Sequence, residues 1–313
     1  MFPKKIAVLL WLFHTELWNE FHTLLYPLRD NIHLYLGLEK RNNIDAQKII
    51  TEAKQNFPYL SINYYSNAGG DILPFLNQMS KLSNNQHDIF LKLHSKKSQL
   101  FNYMNWRVVL LESLIGSKKK FLKNIQQFDN NDTGCICNKS LLLNNQEHTN
   151  TSQIQELCDI LKINYNSCNG KSFAAGSMFF GQVPLFQKYF NTNTLSTLSL
   201  LLQNETGHVT DAKEGRYCHA LERLFGYLVS ANNLRFRFCI EEKIKILNPL
   251  ATNKKIHIIK LYNGYCYAEE DPHVYGQILK DIEDSMIIEW YHIKPNCVAK
   301  YKKINNNSMI RTI

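Results

Sequence analysis

The residues from His87 to Ser98 join a short apolar run to a cluster of cationic and hydroxyl side chains. The run 89–93 predicts a buried strand, and the polar residues gather at its carboxyl end. They are Lys92, His94, Ser95, Lys96, Lys97 and Ser98. Ligands of open α/β sheets bind at the carboxyl ends of strands, where such groups suit an anion, above all a phosphate. The alternative is a solvated basic turn after an ordinary strand.

A second polar turn, Asn67 to Asp71, precedes the cationic turn by one strand and one helix. Gly69 and Gly70 allow a ligand to approach the backbone closely. Because both turns follow strands of one predicted sheet, we expect them at the same edge of that sheet. Two readings stay open: Asn67 and Asp71 contact a nucleotide or sugar, or Asp71 simply caps the next helix.

The segment Phe173 to Phe180 is predicted to be a strand that begins with small residues. Gly176 and Ser177 would let a bulky ligand lie against the backbone, although close packing of the strand against a helix is a strong alternative. The sequence lacks the Gly-x-Ser-x-Gly motif of a nucleophilic serine. Ser177 is therefore expected only to donate a hydrogen bond to a ligand.

The segment Asp211 to Gly226 includes an amphipathic helix that carries a histidine and a glutamate. His219 and Glu222 are three residues apart, a spacing that places them on one helix face. A carboxylate that projects from a helix into a cleft can act as a general base toward a hydroxyl group. For an isolated glutamate, a surface pair with Arg223 or a buried structural salt bridge is the more common role.

An alternation of strands and helices must position these residues. The predicted strands are 5–13, 31–38, 60–65, 87–93 and 133–138. The predicted helices are 15–28, 45–56, 72–82, 102–114 and 118–128. This alternation predicts an α/β fold with a mostly parallel sheet and helices on both faces. After about residue 240 the pattern changes, and we expect a small α+β extension over 241–313.

The composition limits the classes of ligand. Lys and Arg outnumber Asp and Glu by 36 to 27, so the net charge is +9, which fits nucleic acid, an anionic membrane or a phosphorylated small molecule. Zinc-finger spacing, an RNP motif and a basic helix are missing, which argues against nucleic acid. The apolar run 6–13 is too short to span a bilayer and lacks a cleavage site. The eight cysteines lack paired CxxC spacing, so we expect reduced thiols in a cytoplasmic protein.

The chain resembles the rhamnan synthesis protein F family in five ordered segments: LWNEF, NAGGDILPFL, HDIFLKLHSKKS, FAAGSMFFG and HALERLFG. That family comprises bacterial glycosyltransferases of cell-surface polysaccharide assembly, and the resemblance covers about residues 6–230. It implies a nucleotide-sugar-dependent transferase with a GT-A-like, Rossmann-type catalytic domain over 1–240. It does not fix the sugar, which is rhamnose or another deoxy or hexose sugar.

The resemblance also implies how the donor is held. Many GT-A enzymes bind Mg²⁺ or Mn²⁺ through an Asp-x-Asp after the fourth strand, where this chain has only cationic and hydroxyl groups. We expect these groups to neutralise the diphosphate without a metal or other cofactor, although Asp71 or Asp88 could recruit a cation. The expected donor-binding residues are Asn67, Gly70, Asp71, Lys92, His94, Lys96 and Lys97.

The remaining roles follow from the same resemblance. Glu222 is the first candidate for the general base, Asp211 is the second, and His219 belongs to the same catalytic group. The expected acceptor or sugar site consists of Gly176, Ser177 and Arg223.

The expected acceptor is a lipopolysaccharide or lipid-linked glycan at the inner membrane. Contact with the anionic membrane would be peripheral, through a basic and aromatic surface such as 294–303. The extension 241–313 would complete the acceptor cleft, dock on the membrane or mediate dimerisation. The main alternative is a non-catalytic scaffold that binds a carbohydrate or nucleotide. Nucleic-acid binding is the weakest reading, and we expect no such partner.

Overall fold

The computed structural model describes most of the chain. The described residues are 5–40, 44–82, 86–97, 99–101, 104–145, 150–167, 172–205, 216–240, 243–247, 256–260, 265–268, 275–282, 285–291, 297–305 and 308–311.

The secondary structure alternates in the first half and consists of strands near the carboxyl terminus. The strands are β1 Ile6–Leu12, β2 Ile32–Glu39, β3 Leu60–Tyr65, β4 Ile89–His94, β5 Gln99–Phe101, β6 Met104–Asn105, β7 Thr133–Cys137, β8 Leu142–Asn144, β9 Ser172–Ala174, β10 Phe179–Gln182, β11 Arg235–Phe238, β12 Lys243–Leu247, β13 Ile256–Lys260, β14 Tyr265–Ala268, β15 Tyr275–Ile282, β16 Ser285–Tyr291, β17 Cys297–Asn305 and β18 Ser308–Arg311. The α-helices are α1 Trp18–Leu25, α2 Ile44–Asn56, α3 Ile72–Met79, α4 Trp106–Ile115, α5 Lys118–Gln126, α6 Thr151–Ile160, α7 Val183–Tyr189, α8 Thr192–Leu202 and α9 Tyr217–Ala231. Short 3₁₀ helices cover Thr15–Leu17, Tyr26–Asn31, Gln127–Asp129, Lys139–Leu141 and Tyr165–Ser167.

The chain divides into two compact units. The first unit contains Met1–Lys96 and Ser117–Cys239, and the second contains Lys97–Gly116 and Ile240–Ile313. The second unit therefore includes an excursion from the first half of the chain as well as the carboxyl-terminal residues.

A seven-stranded sheet forms the centre of the first unit. Its strand order is β11-β7-β10-β4-β1-β2-β3. Strands β4, β1, β2 and β3 are mutually parallel, β11 is parallel to β7, and β10 runs antiparallel to both of its neighbours. The predicted α/β class with a mostly parallel sheet flanked by helices is confirmed.

Burial explains the places of the central strands. Every residue of Ile6–Leu12 is buried, as expected for a parallel strand covered on both faces. The edge strand β3 keeps its side chains partly exposed and alternates polar with apolar residues. Helices α3, α7 and α9 pack on one face around a cluster of phenylalanines, in which the Phe90 and Phe186 rings lie 4.8 Å apart.

The second unit contains a sheet that closes on itself. Strands β12 to β18 are joined in sequence as antiparallel neighbours, and β12 closes the sheet by pairing parallel with β18. Every described element after residue 240 is a strand, where short strands and helices were expected. The described residues of this unit also include one helix, Trp106–Ile115.

Several predicted elements are interrupted. The helix expected over 15–28 is α-helical only over Trp18–Leu25, and a 3₁₀ helix begins at Tyr26, next to Pro27, which has no backbone N–H to continue an α-helix. The strand expected over 173–180 is two strands separated by a turn. The helix expected over 102–114 begins at Trp106, after a small two-stranded sheet.

Candidate active site

Three segments of the first unit meet at one edge of the central sheet. The turn before α3 follows the end of β3, and the cationic residues lie at the end of β4. Strand β10 runs in the opposite direction, and its first residue, Phe179, pairs with Lys92 near the end of β4. The turn that precedes β10, which contains Gly176 and Ser177, therefore lies at this same edge.

Lys92 connects the three segments. Its side chain is 1% exposed, and its ammonium group donates hydrogen bonds to the Asp71 carboxylate and to the carbonyl oxygen and Oγ of Ser177, the last two at 2.9 and 3.0 Å. Ser177 Oγ in turn donates to Asp71 Oδ2 at 2.6 Å. All three N–H groups of the ammonium thus have acceptors, as a buried charge requires.

This network bears on two expectations from the sequence. Lys92 was expected among the diphosphate ligands of a turn, but its ammonium lies inside the protein and its donors are fully used. Asp71 occupies the N-cap position of α3, yet its side chain makes no capping hydrogen bond. The reading of Asp71 as a simple helix cap is therefore wrong, because its carboxylate binds Lys92 and Ser177.

His94 lies beside the same carboxylate. Its Nδ1 atom is 3.5 Å from Asp71 Oδ2, and the residue is buried. Burial lowers the pKa of His94 to about 3, although the charge of Asp71 opposes the shift. Burial alone would raise the pKa of Asp71, but His94, Lys92 and the hydrogen bonds lower it well below its usual value. Near pH 7 the site therefore holds an ionised Asp71 and a neutral imidazole.

We expect His94 to make the protein less stable in mild acid. Its pKa in the folded state is below its ordinary value of 6.5, so between pH 6.5 and about 3 the unfolded chain binds the extra proton. The free energy of unfolding should fall as the pH decreases through this window, by up to about 1.4 kcal/mol per pH unit for one such group. Urea unfolding at pH 6.5, 5.5 and 4.5 should show that the free energy of unfolding of the His94→Gln variant falls less steeply with decreasing pH than that of the native protein. Equal slopes for variant and native protein would contradict this assignment.

The turn between β9 and β10 has an unusual backbone. Gly176 has φ of 82° and Ser177 has φ of 49°. Positive φ is easy for glycine but uncommon for serine, so surrounding contacts must hold Ser177 in place. Those contacts are its hydrogen bonds with Lys92 and Asp71. The predicted strand breaks here because these two residues turn the chain.

Glu222 is bound by this turn. The Gly176 N–H donates to Glu222 Oε1 at 2.8 Å. Burial raises the pKa of Glu222, and the charge of Asp71 raises it further, while Lys96 and Arg223 act in the opposite direction. Glu222 is thus a partly buried carboxyl group with a raised pKa, held at the edge of the sheet where Lys92 and Asp71 lie.

Arg223 does not pair with Glu222 in the described part of the chain. Its guanidinium lies 5.1 Å from the centre of the Phe173 ring and donates to the His219 carbonyl oxygen at 3.0 Å. Glu222 instead lines a narrow pocket with aromatic residues that include Phe225. The reading of Glu222 and Arg223 as a surface ion pair is therefore wrong.

The other expected site residues differ in how far they are exposed to solvent. Asn67 is partly exposed, and Gly70 is exposed with φ of 58° and open space around the position of a Cβ. His219 is partly buried, and burial lowers its pKa. Lys97 is exposed and is the first residue of the second unit. Asp211 lies outside the described residues.

Glu205 is a positioning residue that the sequence did not reveal. Its carboxylate accepts the N–H groups of Tyr217 at 2.6 Å and of Cys218 at 3.0 Å, at the start of α9. Its carbonyl oxygen accepts the N–H of Gly69 at 2.8 Å. Glu205 therefore joins the helix that carries Glu222 to the turn that carries Asp71. A cap that lies twelve residues before the helix leaves no local signal in the sequence.

Asp71 and Asp88, the two carboxylates that could have recruited a cation, both have other partners. Asp71 is already paired with Lys92, whose charge a metal ion would have to displace. Asp88 precedes β4 and accepts the Lys5 N–H at 3.0 Å, so it lies at the opposite edge of the sheet. Within the described ranges, no group of three or more His, Cys, Asp and Glu residues is arranged to hold a metal.

Comparison with known proteins assigns the chain to a family. The model of the rhamnan synthesis protein F family matches residues 1–234, so the chain belongs to this family. The membership supports a glycosyltransferase of polysaccharide biosynthesis, as the resemblance in the sequence implied. A search of curated proteins gave no match.

Among solved structures, the fold is similar to the mannosyltransferase Ktr4p from S. cerevisiae in complex with GDP. The TM-score is 0.40 at 8% sequence identity, and the match covers 75% of this chain and 69% of that one. A similarity at this level describes neither the ligand nor the reaction of the present chain. Separately, no helix among the described residues has the length and apolar character needed to cross a membrane.

Proposed function

We propose that the protein transfers a sugar, rhamnose or another deoxy or hexose sugar, from a nucleotide-sugar donor to a hydroxyl group of lipopolysaccharide or another cell-surface polysaccharide. The observation that carries this proposal is the placement of Glu222, whose carboxyl group is held by the Gly176 N–H at 2.8 Å. It stands at the carboxyl edge of the parallel strands, where α/β proteins bind their ligands.

Glu222 is the proposed general base. Burial raises the pKa of this group, and a base works best when its pKa approaches the working pH. It takes the proton of the acceptor hydroxyl as that oxygen forms a bond to the anomeric carbon of the donor sugar. The bond between that carbon and the diphosphate oxygen breaks with its electron pair, and the nucleoside diphosphate leaves.

Asp71 is proposed to bind a sugar hydroxyl. Its contacts with Lys92, His94 and Ser177 all involve Oδ2, so Oδ1 has no hydrogen bond within the described part of the protein. The Asp71 side chain is 24% exposed, which allows a ligand to reach it. Lys92 and Ser177 would then act as positioning residues that fix this carboxylate and the turn that holds Glu222.

Lys96 is the proposed counter-charge for the diphosphate, without a metal ion. It lies near enough to lower the pKa of Glu222, and near pH 7 the neutral His94 ring beside it can offer only a hydrogen bond. Replacement of Lys96 by alanine should weaken donor binding about tenfold or more, because hydrogen bonds to charged groups contribute roughly 1.5–3 kcal/mol.

Calorimetric titration with nucleotide sugars in EDTA would measure the effect of Lys96→Ala. The matched control is Lys119→Ala, an exposed lysine of α5. Equal affinities for the two variants would argue against the role of Lys96. Binding that requires added Mn²⁺ would argue against the metal-free site.

The proposal also includes peripheral contact with the membrane that carries the acceptor. Lys300 and Lys302 in β17 are exposed and offer positive charge to an anionic membrane at the cytoplasmic face.

The function is tested by mass spectrometry of lipid-linked glycan acceptors incubated with a panel of nucleotide sugars. A mass increase of one sugar residue is expected with one class of donor. Donor binding without any product would favour the scaffold instead.

A further inference from the structure

A second cavity lies at the edge of the central sheet opposite the candidate active site. It has a volume of about 730 Å³ and is lined by residues at the starts of parallel strands, among them Ile6, Ile32 and His87. The size falls within the range of small-molecule sites, about 300–1,000 Å³. All of its lining residues belong to the first unit.

His87 is an unsatisfied polar group in the wall of this cavity. The residue is 4% exposed, and its Nδ1 atom is buried without a hydrogen-bond partner among the described residues. Its neighbour His33 lies 5.4 Å away between ring centres and shares a hydrogen bond of 2.9 Å with Ser61 Oγ. Buried polar side chains are nearly always hydrogen-bonded, so His87 brings unused hydrogen-bonding capacity to the cavity wall.

The lining suits a ligand without net charge. Lys5 and Asp30 carry opposite charges, and their sum is zero. Burial lowers the pKa of His87 to about 4, so near pH 7 this ring is neutral. The remaining polar side chains are the amides of Asn31, Gln86 and Gln126, the imidazole of His33 and the hydroxyl of Tyr59. Amides and neutral imidazoles both donate and accept hydrogen bonds, as hydroxyl groups do.

The rest of the lining offers apolar surface. The ring of Tyr59 is 59% exposed and Leu122 is 39% exposed, so both present large apolar areas to a ligand. A pyranose has the matching surfaces, because its C–H faces pack on aromatic and aliphatic groups while its hydroxyls meet the amides and imidazoles. We infer that this cavity binds a neutral saccharide at a site separate from the candidate active site.

This inference goes beyond the proposed transferase reaction and is measured by binding alone. Saturation-transfer NMR would use the methyl α-glycosides of L-rhamnose, D-mannose and D-glucose as probes, with uridine and inorganic phosphate as rival ligands. Tyr59→Ala and His87→Phe should each weaken binding of the preferred glycoside at least fivefold. The matched control Tyr64→Ala removes an exposed tyrosine of β3 outside the cavity and should change nothing.

A Glu222→Gln variant distinguishes binding in this cavity from activity at the candidate active site. Because Glu222 lies at the opposite edge, this variant should bind the glycoside as the native protein does, even where transfer activity is lost. Circular dichroism would confirm that His87→Phe is folded, and Tyr59→Ala tests the site without changing a buried residue. The inference is overturned if none of the glycosides binds saturably or if Tyr59→Ala binds like the native protein. It is also overturned if uridine or phosphate occupies the cavity in their place.

Discussion

Replacement of Glu222 by glutamine is expected to lower kcat for sugar transfer by about 10²–10⁴-fold, the usual contribution of a general base. Glutamine keeps an oxygen that can accept the Gly176 N–H, so the turn should remain in place. Affinity for the nucleotide-sugar donor should therefore change little. The measurement is steady-state transfer, with donor binding determined separately by calorimetry.

Stability distinguishes this loss of activity from misfolding. The pKa of Glu222 is raised in the folded state, so the stability linked to the protonated form is present at low pH and is lost as the pH rises through that pKa. Near pH 7, Glu222→Gln should thus melt no lower than the native protein. Asp159→Asn, which changes an exposed carboxylate of α6, serves as the control for activity. If kcat for sugar transfer by Glu222→Gln stayed within a few-fold of the native value, Glu222 would not be the general base.

Replacement of Lys92 by methionine is expected to destabilise the protein by about 3–5 kcal/mol, because loss of one partner leaves the other charge of a buried pair uncompensated. Lys92 is 1% exposed and binds Asp71 and Ser177 at once. Its loss should also release the turn at Ser177, whose positive φ depends on these contacts. Urea unfolding at pH 7 would give the change in the free energy of unfolding.

A double-mutant cycle would separate the pair from the effect of packing. Asp71→Asn in the Lys92→Met background removes the unpaired charge, so the double variant should be more stable than the sum of the single changes predicts, by about 1–3 kcal/mol. Lys119→Met, at an exposed position of α5, should cost little. A Lys92→Met variant as stable as this control would show that the buried network does not hold the edge of the sheet together.

Much of the fold follows from local patterns. The apolar runs of β1 and β4 are buried strands, and the alternation of elements correctly predicts a mostly parallel sheet. The strand expected over 173–180 was wrong because Ser177 adopts a positive φ that only tertiary contacts stabilise. The closed sheet of the second unit depends on pairing between distant strands, such as β12 with β18, which no local period reveals.

The candidate site also depends on tertiary contacts that local sequence patterns do not reveal. The sequence selected Asp71, Lys92, Ser177 and Glu222 one by one, from the ends of predicted strands and from one helix face. It could not show that Lys92 turns inward to bind two of the others, because that direction depends on which face of β4 each residue occupies. In the sequence, His87 is only the first residue of a predicted strand, and its cavity is formed by the starts of strands that are far apart in the sequence.

The most direct test of the central claim is the melting temperature of the native protein with each class of nucleotide sugar in the presence of EDTA. A ligand that binds only the folded state raises the melting temperature, and the rise grows with the ratio of its concentration to its dissociation constant. The proposed donor site, with Lys96 and His94 beside Asp71, predicts that one nucleotide class stabilises the protein without metal. Stabilisation only after Mn²⁺ is added, or by none of the donors, would contradict it.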